Sequence, residues 1–276
     1  MNLHKRKYSV PGTICLIILV FLVMMPLMIM VVGAFKPNLS LIKTPVDLVP
    51  LRGFTLVNIK KVLAESEVLL WLGNSFIISL SVACLTVFIS ICAGYSFAKI
   101  NFRGKLLFFS LVIATMMMPK QILMIPNYLV ANKLHLQNTM IGVILTSTAP
   151  AFGIFLSRQS IQSLPSELFD AAEIDGCGEM GKFFRVVVPL SLPVIGTVGI
   201  LSFFATFNDY IWQAIMISDK GLRTLPVGMS YFAQLQNNNK AAQLAMALLA
   251  TIPLAILFIL CQKFFIKGAT AGAVKG

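Results

Sequence analysis

Between Gly176 and Lys182 the chain reads Gly-Cys-Gly-Glu-Met-Gly-Lys, which fits the G-x-x-x-x-G-K core of a phosphate-binding loop. That chemistry also needs a Ser or Thr hydroxyl for Mg²⁺ at the next position and a buried strand leading in. Phe183 stands where the hydroxyl should be, and the acidic segment ahead would repel phosphate. Nucleotide binding by this chain is therefore not expected. Metal chemistry fares no better. The only histidines are His4 and His135, and the five cysteines, Cys15, Cys84, Cys92, Cys177 and Cys261, form no C-x-x-C pair. All but Cys177 lie in apolar runs and read as small core residues. Neither a metal cluster nor a His-dependent catalytic triad can be assembled, so the chain is expected to carry no catalytic residue, metal or cofactor.

The remaining chemistry is charge, and its placement is uneven. The stretch from Pro165 to Pro193 holds Glu167, Asp170, Glu173, Asp175 and Glu179, half of the ten acids in the sequence, with apolar runs on both sides. Ser166 is placed to cap a helix, and Glu167 and Asp170 suit its positive end. Leu168, Ala171 and Ala172 recur at helical spacing on one face, and Gly176 and Gly178 end the segment. The expected product is a short surface helix of small and acidic residues, tied at each end to an apolar span and shaped to be gripped by a soluble partner.

The elements that must position this loop are apolar. Hydrophobic residues make up 58% of the 276 positions and charged residues 12%, against roughly 25% charged in a typical soluble chain. The net charge of +12 comes from basic residues scattered between apolar runs, with no basic stripe interleaved with aromatics; it marks the flanks of membrane spans and not a nucleic-acid surface. Six spans are expected, at about 13–35, 74–98, 106–130, 139–156, 187–207 and 244–264, each near the 20 residues that roughly 30 Å of hydrocarbon requires. The first is longer than the apolar core of a signal peptide and reads as a transmembrane helix kinked at Pro26. Prolines 119, 126, 150, 189 and 193 are expected to break later spans.

Lys99, Arg103 and Lys105, then Arg158, Lys182 and Arg185, hug span ends in short segments, which places those segments and both termini in the cytoplasm by the positive-inside rule. The outer side carries nearly as many basic residues, among them Lys36, Lys60, Lys61, Lys220 and Arg223, but several of these lie in longer loops. A single membrane domain results, with the acidic loop at 157–186 facing inward. An all-α membrane protein is the fold class.

The loop resembles the EAA signature of ABC-importer permeases: E-A-A, three residues, G, nine residues, then I-x-L-P. It reads here as Asp170-Ala171-Ala172, Gly176 and Val186-Val187-Val188-Pro189, with Asp for the leading Glu and Val for Ile and Leu. Asp175-Gly176, Phe183-Phe184 and the prolines 189 and 193 look most like the carbohydrate-uptake, maltose-permease-like branch. The resemblance implies a type I ABC importer transmembrane domain, with its core at about 70–264. It further implies a coupling helix seated on a cytoplasmic ATPase, with Glu167, Asp170, Ala171, Ala172, Asp175, Gly176 and Pro189 as coupling residues. Implied partners are a second similar permease, two ATPase subunits that bind the ATP and Mg²⁺, and an extracytoplasmic solute-binding protein, with this chain itself in the cell (inner) membrane.

Almost no ionisable side chain falls inside a span, which argues against a proton relay or ion-coupled pump. A neutral, hydroxyl-rich solute suits uncharged polar and aromatic groups in proline-broken helices better. Candidates for that lining are Asn74, Ser75 and Ser79, then Met116, Lys120 and Gln121, then Thr146, Ser147 and Thr148, then Phe207, Asn208, Tyr210 and Trp212. The tetrad 207–210 resembles a Trp-Asn-Glu-Phe stretch of sugar permeases, with Phe207 in the Trp position. Lys120 either snorkels to the surface or donates to substrate; as a counter-charge it would admit glycerol phosphate as an alternative cargo. A self-sufficient secondary transporter is the rival reading, and it leaves the acidic loop without a role.

Overall fold

The computed structural model describes residues 10–37 and 53–271, and among these residues there is no strand. Helices α1 (Val10–Ala34), α2 (Val57–Glu65), α3 (Val68–Lys99), α4 (Lys105–Met116), α5 (Lys120–Lys133), α6 (Met140–Ser147), α7 (Ala151–Gln162) and α8 (Glu167–Ile174) come first. They are followed by α9 (Glu179–Leu190), which contains a π turn at Phe183–Val187. Then come α10 (Leu192–Phe207), α11 (Ile211–Met216), α12 (Leu225–Leu235) and α13 (Lys240–Ala271). Three helices, α1, α3 and α13, are long and apolar enough to cross a membrane singly, and three bent pairs, α4–α5, α6–α7 and α9–α10, pass together. Counted that way the described residues hold up to six candidate spans.

The breaks follow the chemistry of proline. Pro119 precedes α5 and Pro150 precedes α7, and the paired helices bend there by 105° and 49°. The α9–α10 bend of 75° falls at Ser191, between Pro189 and Pro193. A proline in the first turn loses no hydrogen bond, which is why it starts these half-helices. Pro126 behaves otherwise than expected: it lies inside α5, which continues through it, and Pro26 lies inside α1. The second span is longer than the sequence suggested, beginning at Val68 because Trp71 and Val68 are buried and extend the helix toward its start.

Residues 1–68 and 229–254 form one compact unit, and residues 69–228 and 255–276 a second. In the first, the apolar residues of α1 from Ile14 to Met28 are exposed around its circumference, as a lipid-facing span must be. Its last turn is held by Asn58, whose Nδ2 donates to the carbonyls of Ala34 (3.1 Å) and Lys36 (2.7 Å). Phe35 stacks on Phe54 beside it.

In the second unit, small residues set the spacing between α3 and α7. A Cβ on Gly94 would stand 2.6 Å from the Cβ of Ser157, and one on Gly153 would collide with Ser90 Oγ. Ser90-x-x-x-Gly94 thus faces Gly153-x-x-x-Ser157, the small-residue seam that lets membrane helices approach closely without a hydrophobic driving force. Two apolar cores flank it. One gathers Ile78, Val82, Ala131, Val143, Trp212 and Met216. The other gathers Ile91, Tyr95, Ile161, Phe169, Phe183, Val187, Val194 and Val198, and it is this one that carries the acidic loop.

Candidate functional site

The helix expected in the loop is α8, and it ends by a chemistry only glycine satisfies cheaply. Gly176 adopts φ +76°, its N–H bonds the Glu173 carbonyl, and the Cys177 N–H bonds the Ala172 carbonyl, each at 2.9 Å. This is the Schellman arrangement, with the left-handed residue closing the last turn. A Cβ at Gly176 would meet nothing within 4 Å, so the requirement is conformational and not steric.

Two expectations about this helix need correction. Ser166 has helical backbone angles and makes no side-chain capping bond. The buried face is Phe169 and Ala172, while Leu168 and Ala171 are exposed. The spacing argument identified a face but not its direction, because Phe169 outcompetes Leu168 for the aromatic core of Tyr95 and Phe183. Of the proposed coupling residues, Ala172 therefore points inward. Glu167, Asp170, Ala171, Asp175, Gly176 and Pro189 are all exposed. Beside them lies an unexpected apolar set: Ile174 is 87% exposed and Met180 70%, with Leu168 and Phe184 also open. The loop thus exposes large apolar side chains as well as acidic ones.

What holds that face rigid is an inner network. Lys182 is buried, and its ammonium donates to Glu173 at 2.7 Å and Glu179 at 3.4 Å, so a charge that would be costly alone is neutralised. These bonds tie α8 to α9. The Tyr95 hydroxyl donates to the second Glu179 oxygen at 2.7 Å, and its ring stacks on Phe169 with centroids 6.3 Å apart. Lys99 Nζ donates to the Leu164 carbonyl at 2.8 Å and lies 4.6 Å over the Phe169 ring. Arg158 Nε donates to the Phe97 carbonyl while its guanidinium covers Phe109. Lys99, Arg158 and Lys182, read from sequence only as span-flanking charges, are each committed to a specific partner. Tyr95, Phe169 and Glu179 were not singled out for this role, and only the proximity of Tyr95 to the charged end of its span hinted at it.

The expected solute lining is dispersed. Asn74 is buried and donates to the carbonyls of Gly221 and Arg223, both at 2.9 Å, and Ser75 Oγ accepts the Leu225 N–H at 2.8 Å. Both residues brace the segment after α11. Phe207 is buried against Phe76 and Phe203, and Trp212 is buried with its indole N–H on Thr146 Oγ1. Thr148 returns its hydroxyl to the Ile144 carbonyl, and Asn208 donates its amide to the Phe204 carbonyl. The hydroxyls of Ser79 and Ser147 are buried with no protein partner. Met116, Lys120, Gln121, Asn208 and Tyr210 are exposed. The Lys120 ammonium is paired with Asp209 at 2.5 Å, and Asp209 also accepts the Trp212 N–H at the start of α11. Among the described residues no group of three or more metal-ligating side chains converges.

Residues 86–270 match the family described as binding-protein-dependent transport system inner membrane component. The chain belongs to this family. As a permease it is 34% identical to the arabinooligosaccharides transport system permease of Halalkalibacterium halodurans, over 96% of its own length and 95% of the other's. It is 30% identical to the lactose transport system permease of Rhizobium radiobacter, over 99% of each. A crystal structure of a bacterial ABC transporter involved in the import of the acidic polysaccharide alginate contains a chain of the same fold. The TM-score is 0.83 at 19% identity, covering 96% of the permease and all of that chain. The permease is a multi-pass membrane protein with a type I ABC importer transmembrane domain, and its part in the importer is transport.

Proposed function

We propose that the chain is a permease subunit of an ATP-driven importer for a di- or oligosaccharide, working by alternating access. The observation that carries this reading is the loop. An apolar and acidic outer face, built on a helix closed by Gly176 and braced inside by Lys182, is a rigid knuckle suited to a groove on a soluble protein. ATP and Mg²⁺ would be bound and hydrolysed by two ATPase subunits that receive the knuckle. A second, similar permease and an extracytoplasmic binding protein complete the assembly. In this arrangement the loop and both termini face the cytoplasm. The sugar preference is supported by the arabinooligosaccharide and lactose relatives. It is supported also by the scarcity of ionisable side chains in the spans, with Lys120 already neutralised by Asp209 and so a poor counter-charge for a phosphate ester.

The test is reconstitution. The chain is co-purified with its native companions, screened by thermal shift against neutral sugars and glycerol phosphate, and assayed in liposomes. Uptake should need ATP and the binding protein and should follow the stabilising sugar. Uptake by this chain alone, driven by an ion gradient, would overturn the proposal.

A further inference from the structure

The last two turns of α3 grip two things at once. On one face Ser90 and Gly94 lie in the close seam with Gly153 and Ser157 of α7. On the adjoining face Ile91 and Tyr95 enter the core that contains Phe169 of α8 and Phe183 of α9. Within that core most contacts are apolar and non-directional. They resist separation but permit sliding. The hydrogen bond from the Tyr95 hydroxyl to the Glu179 carboxylate is different: it is short, charge-assisted and directional. Its acceptor also bonds Lys182, which in turn bonds Glu173 on α8. A side chain of the span is thereby linked through one carboxylate to both helices of the loop, while its ring touches Phe169 at 6.3 Å and Phe183 at 5.8 Å.

We infer that Tyr95 is a positioning residue for coupling: its hydrogen bond to Glu179 transmits displacement of the loop to α3, and through the small-residue seam to α7. This role rests on the importer reading above and specifies the bond through which the loop moves the spans. Tyr95→Phe keeps the ring and its stacking on Phe169 but removes the donor. A purely architectural Tyr95 would tolerate that change; a transmitting one would not.

The experiment uses the whole reconstituted complex and measures sugar taken up per ATP hydrolysed. Tyr95→Phe should retain its ATPase partners on purification and continue to hydrolyse ATP, with the uptake-to-hydrolysis ratio down about tenfold, as expected for loss of one hydrogen bond to a charged group. Glu179→Gln keeps an acceptor for the hydroxyl and should stay within about twofold of the native ratio, whereas Glu179→Leu, which also removes a partner of Lys182, should fall at least as far as Tyr95→Phe. The double variant Tyr95→Phe with Glu179→Leu should be no worse than Glu179→Leu alone, since the Tyr95 bond is already lost there. An unchanged ratio in Tyr95→Phe overturns the inference. So does a parallel fall in uptake, hydrolysis and recovery of the ATPase, which would mark a packing role. A native complex with no ATP-driven uptake overturns the importer reading itself, and this role with it.

Discussion

Two lysines of the second unit each meet carboxylates, and the contrast between them separates bracing from switching. Lys182 has a side chain 11% exposed, shared between Glu173 and Glu179 within the loop. Lys120 is 58% exposed and meets Asp209 across 89 positions of sequence, at the 105° break between α4 and α5 and beside the start of α11. Lys182 is enclosed while its partners Glu173 and Glu179 stay 71% and 59% exposed, so the ammonium depends on its bonds and the carboxylates meet water. In the second pair the exposures are reversed, with Asp209 only 12% exposed and also holding the Trp212 N–H, so the open ammonium can exchange its partner for water while the carboxylate stays fixed. The loop is therefore a rigid part and the Lys120–Asp209 contact a reversible one, sited where two broken spans meet.

The largest effect should come from neither lysine but from the seam beneath the loop. Gly153→Leu forces a side chain into Ser90 and Val198; overpacking of this kind costs about 1–3 kcal/mol or more, and the variant should fail to accumulate in membranes by immunoblot. Next, Ala171→Arg places a bulky charge on the outer face without touching the core, and sugar-stimulated ATP hydrolysis should be lost while membrane insertion is retained. Ala172→Arg should instead disrupt the loop itself, since Ala172 is buried, and limited proteolysis would distinguish the two. Lys182→Met should lower the melting temperature of the complex and loosen the loop, an effect insensitive to added salt. Smallest of all, Lys120→Gln, on the exposed side of its pair, should shift stability by less than about 1 kcal/mol. Any effect of it on uptake should shrink at high ionic strength, where the exposed pair is already screened. Equal salt sensitivity of the two lysine variants would erase the distinction drawn here.

Much of this was legible in the sequence because it rests on local chemistry. Apolar runs of span length, prolines 119 and 150 at the starts of half-helices, and Gly176 after an amphipathic turn each specify structure within a few residues. What was not legible depends on which distant groups compete for the same space. Phe169 and Leu168 are adjacent, and only the packing of Tyr95 and Phe183 decides which is buried. Asn74 and Ser75 look like a polar lining until the carbonyls of Gly221 and Arg223 and the N–H of Leu225 come to them across about 150 positions. Asp209 was visible only as the end of a span, and its pairing with Lys120 could not be read from either position alone. The residues beyond 271, which include Lys275, and the basic residues before residue 10 lie outside the described residues.

The most direct test is a photo-cross-linking residue in place of Ile174, the most exposed large apolar side chain of the loop. In native membranes it should capture a soluble ATP-hydrolysing subunit, with a yield that changes between nucleotide-free and ATP-bound states. Capture of lipid, or of the extracytoplasmic binding protein, would contradict the account.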